Sequence, residues 1–110
     1  MTKVDLHIYI NYDDRLIVNP ERIELLKHIA TEGSLLKASK NMGISYNKAW
    51  HMLDAVNAAS AAPIHKKVRG GKGGGGAVLT DYGKLILKEY EAIEHMVKRF
   101  NQKLNTEINL

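Results

Sequence analysis

An α+β fold is predicted for this 110-residue chain by three features of its sequence. Val4, Leu6, Ile8 and Ile10 alternate with Asp5, His7, Tyr9 and Asn11, the pattern of a half-buried strand. Between Asn19 and Ser60 the chain repeatedly places a capping residue ahead of apolar residues at helical spacing. Six of the seven residues from Gly70 to Gly76 are glycine, and the seventh is lysine. Each glycine loses more backbone entropy on ordering than any other residue, so neither a helix interior nor a flat strand tolerates such a run. It is a loop tip. It lies between a basic strand-like run, Ile64 to Arg69, and a short apolar one, Ala77-Val78-Leu79, which together read as a long hairpin.

The elements follow in order. Asn11 to Asp14 supply turn residues after the first strand, and Leu16-Ile17-Val18 can pair back on it to form an N-terminal β-hairpin. Asn19-Pro20 is an N-cap followed by proline in the first helical position. That helix runs through Ile23, Leu26, Ile29 and Ala30 and stops at Gly33. Ser34 caps a short second helix with Leu35, Ala38 and Met42 on one face, and Gly43 offers the left-handed conformation of a tight turn. Ser45 caps a third helix, whose inward face is Ala49, Met52, Leu53 and Val56. At 100° per residue Asn47, His51 and Asp54 point away from that face, with Lys48 and Trp50 on its flanks. The small Ala38 lets the second and third helices cross closely, as in a helix-turn-helix. Thr80-Asp81 opens a long last helix with an acid in its first turn. Ile86, Tyr90, Ile93, Val97, Phe100 and Leu104 recur along it at the spacing of a coiled-coil seam. From 80 to 104 it would be roughly 37 Å long, more than a domain this small covers, so the stripe is expected to meet a second copy.

Composition narrows the function. There are no cysteines, which excludes disulfides and thiolate zinc sites. No apolar run has the length of a membrane span and no signal-peptide core is present, so a cytoplasmic location is expected. The five histidines are scattered without helical pairing, so no metal site is expected. Gly71-x-Gly73-x-x-Gly76 matches the dinucleotide fingerprint only in letters, because Ala77-Val78-Leu79 separates it from the next helix. Lys72 is followed by glycine rather than Ser or Thr, so the run is no phosphate-binding P-loop either. No nucleophile–base pair is visible, and neither an enzyme nor a cofactor is expected.

Charge does distinguish one region. Residues 33–76 carry seven basic residues against Asp54 alone, whereas the remainder has nine basic and eleven acidic. The basic excess therefore coincides with the third helix and the hairpin. A helix-turn-helix followed by a basic, glycine-tipped hairpin is the pattern of a winged helix-turn-helix, with the third helix as reader and the hairpin as wing. On this reading Ser45 belongs to the DNA-binding set at the helix's start, and Asn47, Lys48 and His51 address base edges and nearby phosphates from its first turns. Tyr46 either reaches a phosphate or packs inward. Lys66, Lys67, Arg69 and Lys72 clamp phosphates or enter the adjacent minor groove. Trp50, the only tryptophan, reads as a wedge between helix and wing rather than a base contact.

Three stretches also carry a family resemblance. They are Arg22 to Ala30, Gly43-Ile44-Ser45-Tyr46 with Ala49-Trp50, and Gly70 to Thr80, the last being the most specific. Together they resemble the N-terminal domain of ModE-type molybdate-responsive transcriptional regulators, over about residues 4–104. That domain is a winged helix related to the LysR-type DNA-binding domain. The resemblance implies a prokaryotic, homodimeric regulator that binds double-stranded DNA at a palindromic operator. It also usually implies C-terminal β-barrel domains that bind molybdate or tungstate, and no residue here corresponds to that oxyanion site. The expectation is therefore a regulator lacking the molybdate-sensing domains, with a separate sensor protein as a possible partner. Residues 1–79 are expected to form the DNA-binding domain, and 80–110 the dimerisation helix and tail. The rival reading is a dimeric adaptor, or a small-oxyanion binder using the amides of Gly70 to Gly76.

Overall fold

The computed structural model describes residues 2–68 and 76–110. Strands β1 (Ile10–Tyr12) and β2 (Arg15–Val18) form the first hairpin, and helices α1 (Pro20–Glu32), α2 (Leu35–Met42) and α3 (Tyr46–Ala59) follow. A second hairpin, β3 (His65–Val68) and β4 (Gly76–Leu79), leads into the long helix α4 (Asp81–Glu107). Each hairpin is its own two-stranded antiparallel sheet. The α+β winged-helix architecture predicted from sequence is the one observed.

Caps and turns set the boundaries. The Asn19 side chain accepts the Arg22 amide at 2.8 Å, with Pro20 in the first turn of α1. Gly33 ends that helix in the left-handed region (φ 64°). Ser34 caps α2 through the Lys37 amide, and Gly43 closes it at φ 69°. Both glycines occupy backbone conformations that an L side chain strains. Asp13 and Asp14 form the two-residue β1–β2 turn, both at positive φ (47° and 64°), as a turn matched to strand twist requires.

The core gathers side chains from every layer. Val18, Leu25, Leu26, Leu35, Ala38, Ala49, Leu53, Val56 and Ile64 are fully buried, with Ala77 and Leu79 packed in from β4. The start of α4 shares this core through Ile86 and Tyr90. Gly83 brings that helix against the segment leading into β3, and a Cβ there would collide with the Ile64 carbonyl oxygen. Thr80 locks the same junction: its hydroxyl accepts the Gly83 amide and donates to the Pro63 carbonyl, and its own amide donates to Ile64. Lys27 ties α1 to α4 through Glu94 at 3.5 Å, with its ammonium 5.5 Å from the Tyr90 ring centre.

Two expectations are revised. The alternating run from Val4 places Ile8 and Ile10 against the core, yet ladder pairing begins only at Ile10, with an irregular register between Ile10 and Asn11. Near the chain's start another partner serves: the Asn105 amide accepts the Val4 N–H at 2.7 Å and donates to the Val4 carbonyl at 2.9 Å. The apolar stripe of α4 is likewise not uniform. Ile86 and Tyr90 are buried in the protomer's own core, Ile93, Val97 and Leu104 are half-buried, and Phe100 is 57% exposed. The most exposed apolar side chains of α4 are Met96, at 61%, and Phe100, one turn apart.

Candidate nucleic-acid interface

Helix α3 begins at its cap. The Ser45 hydroxyl accepts the Lys48 amide at 3.0 Å, so this side chain serves the helix terminus. Ala49, Met52, Leu53, Val56 and Ala59 anchor the inner face. Asn47, Lys48, His51, Asp54 and Ala58 are left exposed. Asn47, His51, Asp54 and Ala58 recur at i, i+4, i+7 and i+11 and line one outward stripe. The stripe ends where the Arg15 guanidinium, from the first hairpin, donates to the Ala58 carbonyl at 3.0 Å.

The junction between α3 and the second hairpin is aromatic. Trp50 is half-buried, with the Tyr46 ring edge-on to it at 6.0 Å and the buried His65 ring tilted against it at 5.9 Å. Two residues on, along the same face of β3 as His65, the exposed Lys67 carries its ammonium 4.9 Å from the Trp50 ring centre. A cation over an indole face is held by the ring's quadrupole, worth about 0.5–1 kcal/mol at exposed sites. Trp50 therefore stands as the wedge between helix and hairpin, and of Tyr46's two open readings the half-buried, inward one is observed.

His65 Nδ1 is buried and has no hydrogen-bond partner among the described residues. Burial holds the imidazole's pKa below its ordinary value; the nearby Asp54 carboxylate opposes that shift, and Lys67 adds to it. The neutral ring is thus the form that fits this junction.

The structure brings Asn47, Lys48 and His51 onto one face, beside Lys67. It does not bring Lys66 to the same side. Successive strand residues face opposite ways, and Lys66 instead lines a cleft of about 640 Å³ with Ile29, Val78, Thr80 and Lys84. Arg69 and Lys72 lie outside the described residues. Sequence reasoning missed that Lys48 is paired, at 3.8 Å, with Glu21 from the first turn of α1. Both side chains are about half exposed, and such surface pairs contribute little and yield readily to a phosphate.

A helix-turn-helix packed on α1, followed by an antiparallel hairpin wedged against its second helix, defines a winged helix-turn-helix domain. Known proteins carry the classification further. The chain is 36% identical over 97 residues to the DNA-binding transcriptional dual regulator ModE of Escherichia coli K12, which is 88% of this chain and 37% of that protein. It is 37% identical over 94 residues to the transcriptional regulator ModE of Haemophilus influenzae, 86% of this chain and 37% of that protein. The molybdenum-pterin-binding protein MopB of Rhodobacter capsulatus is 40% identical over 90 residues, 82% of this chain and 33% of that protein. No protein-family model matches the chain. It spans about a third of the length of these curated relatives. The chain is homologous to the N-terminal part of the ModE transcriptional regulators.

Proposed function

We propose that this chain is the DNA-binding part of a transcriptional regulator, not an enzyme, and that it acts in the cytoplasm as a homodimer on a palindromic operator. The observation that carries the reading is the exposed polar stripe of α3 with Lys48 and Lys67 beside it. This stripe lies in the one strongly basic part of the sequence. The names of the relatives support transcriptional regulation through DNA.

In this mechanism α3 enters the major groove, and Asn47 and His51 meet base edges. Lys48 leaves Glu21 for a phosphate. Lys67 and Lys66 approach phosphates from the two sides of the hairpin, with Arg69 and Lys72 continuing the basic run. Tyr46 and Trp50 fix the angle between reader and wing. Residues 1–79 supply the DNA contacts, and 80–110 supply the second copy's docking surface together with the tail. On that helix Phe100, with its neighbour Met96, carries the contact, flanked by Ile93, Val97 and Leu104; Ile86 and Tyr90 support it from within the protomer. The signal to which the regulator responds is supplied by a separate sensor protein or by a further domain.

Selection of bound sequences from a random duplex pool tests this reading. The expected product is an inverted repeat with two equivalent half-sites. Retention of DNA without any enriched sequence would instead leave only non-specific phosphate binding, and no retention at all would favour an adaptor or oxyanion-binding role.

A further inference from the structure

Asp54 is out of place on a surface built for phosphate. It is the only acidic residue between positions 33 and 76, where seven basic residues stand. It is exposed and shares the outward stripe of α3 with Asn47 and His51. The fold does not use it: among the described residues no lysine or arginine pairs with its carboxylate, and it makes no hydrogen bond. It stands on the hairpin side of the helix, near enough for its charge to act on His65. A free carboxylate here repels every phosphate that the surrounding lysines attract. Something specific has to offset that repulsion.

An ionised carboxylate only accepts hydrogen bonds. On the major-groove edge guanine offers acceptors and thymine an acceptor and a methyl group, while the cytosine N4 amino group offers a donor without an acceptor beside it. Asn47 and Asp54 are seven residues apart, about 10.5 Å along the helix at 1.5 Å per residue. At 3.4 Å per step that distance corresponds to about three base-pair steps. The two side chains therefore address different base pairs of one half-site. We propose that Asp54 is a specificity-determining residue that accepts a hydrogen bond from a cytosine amino group in the major groove and rejects the other bases at that position. The inference rests on the DNA-binding reading above. Its cost in general affinity is part of its effect, because the same charge weakens binding to all DNA that lacks the amine.

Site selection with the parent, Asp54→Ala and Asp54→Asn, alongside binding to mixed-sequence DNA at fixed salt, tests the inference. The parent is expected to enrich a C·G pair at one fixed position of each half-site. Asp54→Ala is expected to lose about tenfold of that discrimination, within the range of a single base contact, while binding mixed-sequence DNA more tightly. Asp54→Asn is expected to shift the preference toward adenine, whose edge offers the donor and acceptor that an amide matches. If both variants keep the parent's base preferences and only bind all sequences more tightly, Asp54 acts as charge alone and the inference is overturned. A parent that enriches no sequence overturns the DNA-reading account itself. The side chain is exposed and unpaired, so unchanged melting temperatures are expected to show that both variants fold.

Discussion

The outer face of the β3–β4 hairpin and the distal half of α4 both present side chains that the main core leaves uncovered, but of opposite chemistry. Lys66 and Lys67 of the hairpin are exposed, and water satisfies charged side chains of this kind. The distal half of α4 instead leaves Met96 and Phe100 more than half exposed. Covering a large apolar side chain is worth roughly 1.5–3 kcal/mol. One face is basic and the other apolar, and the proposed function gives the first to a polyanion and the second to another copy of the chain. On the proposed reading, the wing and reader bind one half-site and the helix sets the distance to the other.

The largest effect is expected from breaking the apolar face. Met96→Asp with Phe100→Asp places carboxylates where the second copy would dock, while leaving Ile86 and Tyr90 in the protomer core. Sedimentation at micromolar concentration is expected to give a dimer for the parent and a monomer for the variant. Affinity for a two-half-site duplex is expected to fall at least about a hundredfold, since linked sites gain that much from effective concentration. Affinity for a single half-site is expected to change little. A monomeric parent would refute the assignment of α4.

A smaller effect sharpens the view of the hairpin's root. The His65 pKa is lowered in the folded chain, mainly by burial, against about 6.5 for an unperturbed histidine. Between those two values the unfolded chain binds more protons, so stability rises with pH. The contribution of the neutral ring is complete above the unfolded pKa and is lost as pH falls through it toward the folded value. Thermal melts from pH 7.5 to 5.5 are expected to show a steeper decline for the parent than for His65→Phe, which keeps a ring against Trp50. Identical slopes would mean that the ring's ionisation is not linked to folding.

Local chemistry was legible in the sequence to the residue. Asn19, Ser34 and Ser45 cap the helices they were expected to cap, Thr80 caps the helix that Thr80-Asp81 was expected to open, and Gly33 and Gly43 take the left-handed conformation. What escaped depends on contacts distant in the chain. Alternation from Val4 to Ile10 specifies an inward face but names no partner, and for Val4 the partner is Asn105, 101 residues away. Regular spacing along α4 likewise says nothing of where the protomer's own core stops, which is why Ile86 and Phe100 share a stripe but not an environment. The separation of Lys66 from Lys67 was readable from the two-residue period of a strand. The ion pair of Lys48 with Glu21 was not, since it needs the crossing of α1 and α3.

The contrast between the two faces rests on the basic one meeting phosphate, and the salt dependence of DNA affinity measures that most directly. Log affinity against log salt is expected to fall steeply for the parent. Replacing Lys66, Lys67 and Lys72 together with alanine is expected to weaken binding to all sequences and to reduce that slope by up to about three, at roughly 0.9 for each phosphate no longer neutralised. A slope unchanged by the triple replacement would contradict the wing's role, and a parent whose affinity ignores salt would contradict the account as a whole.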